Sequence, residues 1–289
     1  MTGSTRRVRV ERITVSADGE PGRDGRPDML AVEEPVQISV LSSVSVSADG
    51  VSGSDRGPDI SSLTMRTPGH DIDLALGWLV GEGTITGIDD VVGVAQRSRG
   101  EGLDRAASVR VRLREGLAGP AGRAFTISSA CGICGSDSIE AVRLRARWDV
   151  ESDRCQVAAS VLMTLPQQLR ERQATFDRTG GLHAAGLFRA DGTPVVVRED
   201  VGRHNAVDKV IGYAAREELL PLRGHVLQVS GRASMELVYK AIMAGIPVLS
   251  AVSAPSSLAV ELARAQGLTL AGFVRGRALN LYARADRVT

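Results

Sequence analysis

The order of hydrophobic and polar residues divides the chain into two unlike halves. In the first, apolar residues at 36, 38 and 40 alternate with polar ones in Val36-Gln-Ile-Ser-Val40, the period of a half-buried strand, and Ser62-Leu-Thr-Met65 is a second β-prone piece. Ser45 to Pro58, between them, is rich in Ser, Gly and Asp, which predicts a hairpin with a long loop. After Thr67-Pro-Gly69, Asp71 can cap a helix whose buried face is Ile72, Ala75, Leu76 and Leu79, with Gly81 and Gly83 to stop it. Ser108 to Leu113 is strand-like inside an Arg-, Gly- and Glu-rich stretch, 99–123. Residues 16–28 are almost wholly turn-forming or charged and are expected to be a mobile loop or an insertion.

The second half is more regular. Gly224 to Ser230 has the composition of a buried strand, and a helix follows from about Ala233, with Met235, Val238, Tyr239 and Ile242 on one face and a Glu236–Lys240 pair on another. Gly245 and Pro247 end it. Ile246–Val252 is the next strand, Ser257–Gln266 the next helix and Leu268–Val274 a third strand. That β-α-β-α-β order predicts parallel strands joined by right-handed crossovers, with sites at the strands' C-terminal ends. The whole pattern predicts an α/β protein of two domains. A flexible N-terminal segment, 1–30, precedes a smaller α+β domain, 31–124, and a larger α/β domain, 125–289.

Composition narrows the function. The 289 residues are 43% hydrophobic and 24% charged, as in folded globular chains. Lys plus Arg number 35 against 34 acidic residues, so a net charge of +1 exerts no global pull on nucleic acid or anionic lipid. The longest apolar run, 241–252, is broken by Gly245 and Pro247 and is too short to span a bilayer, and residues 1–15 lack the apolar core of a signal peptide. Three cysteines are too few for a disulfide scaffold. A cytoplasmic protein without nucleic-acid or membrane partners is expected, and in that compartment a CxxC pair points to redox, metal or sulfur chemistry.

That pair lies in Ser128-Ser-Ala-Cys-Gly-Ile-Cys-Gly-Ser-Asp137, where Cys131 and Cys134 are each followed by glycine. Phe125-Thr-Ile127 before it reads as a strand end, and Asp137 with Glu140 after it as a capping box. Thiols just ahead of a helix N-terminus are biased towards thiolate, the form that attacks sulfur. A zinc knuckle would need two further ligands, yet Cys155 stands alone and no second Cys or His pair occurs, so no metal is expected. A thioredoxin-like dithiol fits the strand–CxxC–helix order, and two small residues in a packed loop remain the bland reading. Downstream, Thr179-Gly-Gly-Leu-His183, Arg198 to Asn205, Ser230-Gly-Arg-Ala-Ser234 and Ser253-Ala-Pro-Ser-Ser257 place small polar residues at turns. The second leads into a helix with Val207, Val210, Ile211 and Ala214 on its buried face. Several such turns at one sheet edge, with Arg203, Arg232, Arg275 and Arg277 nearby, suit a nucleotide or pyrophosphate. Neither a Walker-type loop nor a well-placed dinucleotide fingerprint is present, which disfavours ATP hydrolysis and NAD binding.

Six motifs in order resemble the FdhD family, the accessory sulfurtransferases of formate dehydrogenase: Arg66-Thr-Pro-Gly69 with its helix to Glu82-Gly83, Ser129 to Gly135, Thr179 to His183, Glu199 to Lys209, Ser230-Gly-Arg232 and Gly272-Phe-Val-Arg275. The resemblance implies a sulfur relay in which a cysteine desulfurase loads a persulfide. The sulfur then passes to the Mo-bis(molybdopterin guanine dinucleotide) cofactor, bound as substrate, before formate dehydrogenase uses it. Cys131 matches the persulfide-bearing cysteine and Cys134 its neighbour. The cofactor-contact segment matches Phe273, Val274, Arg275, Gly276, Arg277 and Ala278, a pocket that a guanine nucleotide could also occupy. Phe273 could stack on guanine and Arg275 or Arg277 meet phosphate. His204, Asn205 and Arg232 are weaker candidates, chosen from spacing alone.

The resemblance further implies a cytidine-deaminase-like larger domain, a homodimer, and the catalytic subunit of formate dehydrogenase as partner. Deamination itself is disfavoured, because none of the four histidines is followed by x-Glu and Ala130 stands where a proline would precede the first cysteine. Two competing readings are a chaperone that holds the cofactor without covalent chemistry and a general dithiol oxidoreductase.

Overall fold

The computed structural model describes residues 3–42, 60–100, 106–120 and 146–289. The long loop expected at 45–58, the cysteine loop, the helix expected after Asp137 and the boundary expected near residue 125 lie outside the described residues. The first two strands, β1 (Thr5–Val15) and β2 (Pro21–Ala31), form an antiparallel hairpin in which Thr5 faces Ala31 and Val15 faces Pro21. Residues 16–28 are therefore not one loop but a turn followed by most of a strand. Their own side chains carry no strand signal. The pairing follows the alternating Arg and Val of β1, and on a two-stranded ribbon Pro21 and Pro27 need not donate to an inner neighbour.

A four-stranded sheet comes next, made of β3 (Glu34–Leu41), β4 (Ile60–Arg66), β5 (Val91–Arg99) and β6 (Ala106–Leu113) in the order β4-β3-β6-β5. β3 runs antiparallel to β4, as the alternation at 36–40 predicts, and parallel to β6. The larger sheet contains β7 (His183–Arg189), β8 (Pro194–Asp200), β9 (His225–Val229), β10 (Val248–Ala251), β11 (Thr269–Arg275) and β12 (Ala278–Ala283), ordered β12-β11-β10-β9-β7-β8. Its centre, β9-β10-β11, is parallel as expected, and β7, β8 and β12 run antiparallel to their neighbours. The α-helices among the described residues are α1 (Asp71–Gly81), α2 (Ala159–Arg170), α3 (Ala174–Thr179), α4 (Arg203–Arg216), α5 (Met235–Met243) and α6 (Ser257–Ala265).

Strand alternation distributes these helices over the two faces of the larger sheet. Leu187, Leu227, Leu249 and Leu270 share a core with α4, α5 and α6, whereas Phe188, Val226 and Val248 pack with Leu162 and Leu165 of α2. The first core continues without a break through α1 to Val36, Ile38 and Val109 of the four-stranded sheet. Val207, Val210, Ile211 and Ala214 are fully buried, as the periodicity of α4 predicts.

Helix α1 is buried on nearly every side, not on one face, because it is sandwiched between that sheet and α4. Two glycines make the sandwich possible. A Cβ on Gly77 would lie 1.9 Å from the Asp208 carbonyl oxygen, and one on Gly212 would lie 1.7 Å from that of Asp73. Asp71 is not the cap the sequence suggests: His70 precedes the helix in a left-handed conformation, and the Asp71 carboxylate instead meets both Nε and an Nη of Arg66 at 2.8 and 2.9 Å. Arg66 is only 2% exposed, so its guanidinium requires a counter-charge more than the helix requires a cap.

Candidate active site at the C-terminal edge of the larger sheet

The turns that follow β9 and β10 and the irregular end of β11 lie side by side and are tied through their backbones. Ser253 N donates to Gly231 O, Ala233 N to Ala254 O, Ser256 N to Ala233 O, and Phe273 N to Ser253 O, at 3.0 to 3.3 Å. The small residues read as phosphate-friendly turns thus form one continuous ledge. Gly272 is required there, since a Cβ would lie 2.9 Å from Pro255 and 3.0 Å from the Tyr282 ring. Next to it the backbone of Phe273 takes φ +52°, a conformation L-residues avoid, and the ring remains exposed. The Arg275 guanidinium stands 5.9 Å from that ring's centroid. Gly276 and Arg277 make a two-residue turn, closed by the pairing of Arg275 with Ala278, and Gly276 supplies its positive φ of 59°.

Of the six residues matched to cofactor contact, Phe273, Arg275, Gly276, Arg277 and Ala278 are exposed. Val274 points into the core, leaving only its backbone accessible to a ligand. An open groove of about 630 Å³ runs from Arg275 and Gly276 along Met163, Pro166, Gln167 and Arg170 of α2. Cys131 and Cys134 lie outside the described residues. Cys155 is buried, and burial pushes its thiol up, away from reactivity.

Behind the ledge are polar atoms that the described residues leave unanswered. Arg203 opens α4 and Ser234 precedes α5, and neither helix has a side-chain cap bond. Arg203 Nε and Ser234 Oγ are both buried without a hydrogen-bond partner. An anion with several oxygens would satisfy such donors. His183, at the start of β7, lies against Gly231, and burial, followed by the nearby charges of Arg203 and His204, lowers its pKa. His204 Nε2 reaches to 2.5 Å from Glu236 Oε2, although their alignment is not that of a hydrogen bond. Arg232 is exposed.

Asn205, by contrast, is a structural residue. It donates to Met65 O at 2.8 Å and to Asp200 Oδ1 at 3.0 Å. Asp200 also accepts from Thr67 N and Gly202 N and pairs at 2.6 Å with Lys209, whose ammonium donates to Thr67 O. The motifs at 66–69 and 199–209 are thus two halves of one buried clamp, which fixes the β4–α1 connection against the β8–α4 connection. Glu199 belongs to it as well, accepting from Thr175 N and Phe176 N at the start of α3. Sequence reasoning missed the Asp208–Lys240 pair, at 2.6 Å, because its partners are on different helices and only packing brings them together.

Among the described residues no cluster of His, Cys, Asp and Glu is placed to hold a metal ion, and no helix is long and apolar enough to cross a membrane. The family model of the FdhD/NarQ family matches residues 59–289. A sulfur carrier protein FdhD from Mycolicibacterium paratuberculosis is 51% identical over 91% of this chain and 93% of its own. One from Nocardia farcinica is 47% identical over 98% and 95%. A crystal structure from Desulfotalea psychrophila, of a protein named as a formate dehydrogenase accessory protein, superposes with a TM-score of 0.71 over 98% of this chain and 99% of its own, at 21% identity, and so shares the fold. With the clamp, the ledge and the aromatic turn all built from the motifs singled out in the sequence, and the family model covering all of them, this chain belongs to the FdhD/NarQ family.

Proposed function

We propose that this chain is a sulfur carrier that accepts sulfur from a cysteine desulfurase on Cys131 and passes it to the Mo-bis(molybdopterin guanine dinucleotide) cofactor, making that cofactor competent for formate dehydrogenase. The observation that supports this most is the strained, exposed Phe273 on a ledge of small residues. An aromatic residue held at positive φ and left 36% exposed beside an arginine is strained and suits a planar base. Arg275 and Arg277 are exposed beside it for phosphate, and the unanswered donors of Arg203 and Ser234 fit the same anionic substrate. The names carried by close relatives support the sulfur half of the reading.

In the loading step the Cys131 thiolate attacks the outer sulfur of the desulfurase persulfide. The sulfur–sulfur bond there breaks, the desulfurase cysteine leaves as thiolate, and Cys131 carries the persulfide. Cys134 is the residue able to resolve it: attack on the Cys131 sulfur forms a Cys131–Cys134 disulfide and expels hydrosulfide. Such chemistry belongs in a reducing cytoplasm. The test is complementation of a strain lacking this protein. Cys131→Ala should abolish formate dehydrogenase activity while the purified variant still binds GDP. Full activity with Cys131→Ala would contradict sulfur carriage and favour a chaperone that only holds the cofactor.

A further inference from the structure

We propose that the outer face of the four-stranded sheet docks an acidic, partly apolar segment of a partner protein. The inner face of this sheet packs on α1, and among the described residues no helix or further sheet is seen to cover the outer face. Register places Arg97 of β5 opposite Ser108, and Arg110 of β6 opposite both Ala95 and Ser39, so the two arginines are diagonal neighbours on one surface. Arg112, two residues after Arg110, continues the row. All three are exposed and make no ion pair or hydrogen bond with any described residue. None of the described outward-facing residues of the four strands is acidic. In a chain of near-zero net charge, three arginines on one sheet face with no counter-charge among the described residues are a local excess.

The same face bears apolar surface. On β4 the usual pattern is inverted: Ser62, Thr64 and Arg66 are buried, whereas Leu63 and Met65 are each 44% exposed. They lie across the sheet from the arginines, with Leu63 opposite Gln37 and Gln37 opposite Ser108. Leu63 and Met65, two residues apart on the same side of an edge strand, make a small continuous apolar strip beside the arginines. Arginine at one side and apolar residues at the other match a protein segment that mixes carboxylates with aliphatic side chains. A nucleic acid would use the arginines and leave Leu63 and Met65 in water. A two-fold contact between copies of this chain would set arginine against arginine or arginine against the apolar edge, and in neither case gives the charges a partner. The inference does not depend on the sulfur chemistry.

The test measures fluorescence anisotropy of a short labelled peptide of alternating glutamate and leucine, titrated with the full chain. The combined substitution R97E with R110E should weaken binding by about tenfold or more. L63S with M65S should weaken it as well, and added salt should weaken wild-type binding. All four positions are exposed, so the variants should melt with the wild type; R97Q with R110Q replaces the charge reversal if it does not. Binding that neither pair of substitutions changes would overturn the proposal. So would a duplex oligonucleotide that binds more tightly than the peptide and is lost on charge reversal. A wild-type dimer that the charge reversal splits would show instead that the face belongs to a second copy.

Discussion

Replacing Lys209 by methionine should cost the fold about 3–5 kcal/mol, the usual penalty for stranding one member of a buried ion pair. The Lys209 ammonium is 2.6 Å from Asp200 Oδ2, and the two side chains are 1% and 0% exposed. It also donates to Thr67 O at 2.9 Å and to Glu199 O at 3.3 Å. Methionine fills nearly the same volume, so no cavity accompanies the loss; what disappears is the charge and its donors. Asp200 would keep its hydrogen bonds from Thr67 N, Gly202 N and Asn205 Nδ2 but lose its only counter-ion among the described residues. Urea unfolding at constant neutral pH measures the cost directly. Asp200→Asn alone should also destabilise, yet the double variant Asp200→Asn with Lys209→Met should cost clearly less than the two single effects added, because no charge is then left stranded. A cost below about 1 kcal/mol for Lys209→Met, or strict additivity in the cycle, would refute the clamp as the joint between the β4–α1 and β8–α4 connections.

Three further outcomes follow from the same geometry. Gly212→Ala must push α1 away from α4, and the overpacking should cost about 3 kcal/mol or more in thermal or chemical unfolding; an unchanged stability would mean the helices do not touch there. Phe273→Gly should release about 1–2 kcal/mol of left-handed backbone strain, offset by the freer unfolded chain and the lost ring contacts, so stability should change little while GDP binding weakens in calorimetry; an unchanged GDP affinity would remove Phe273 from the site. Burial, followed by Arg203 and His204, depresses His183, and burial followed by Arg198 depresses His70. The unfolded chain therefore binds more protons at these positions, so stability should fall as pH drops through the window below the ordinary histidine value of about 6.5. His183→Gln should flatten part of that slope, and a gain of stability on acidification would contradict the assignment.

Much of the fold was legible because its periodicities are local. The parallel β9-β10-β11 unit, the buried face of α4 and the β3–β4 hairpin each follow from spacings within a few residues. The hairpin of β1 and β2 was not legible, since Pro21-Gly-Arg-Asp-Gly-Arg-Pro27 has no strand pattern and is ordered by its partner. The two-sided burial of α1 was hidden for a related reason: Gly77 reads as a helix weakener until Asp208 of α4 is seen against it. At the candidate site, the ledge and the Phe273 segment were anticipated as motifs, but motifs did not show which of their residues hold the fold. Asn205 and Lys209, in the same eleven-residue run as Arg203 and His204, hold the clamp, and only the direction of their hydrogen bonds shows it.

The central claim is that Cys131 carries sulfur. Intact-protein mass spectrometry after incubation with an active cysteine desulfurase and free cysteine tests it most directly, with Cys131→Ala alongside. The account predicts a gain of one sulfur atom on the wild type, removed by reductant and absent from the variant. With a desulfurase shown to load another acceptor in the same mixture, no gain on the wild type, or an equal gain on Cys131→Ala, would contradict it.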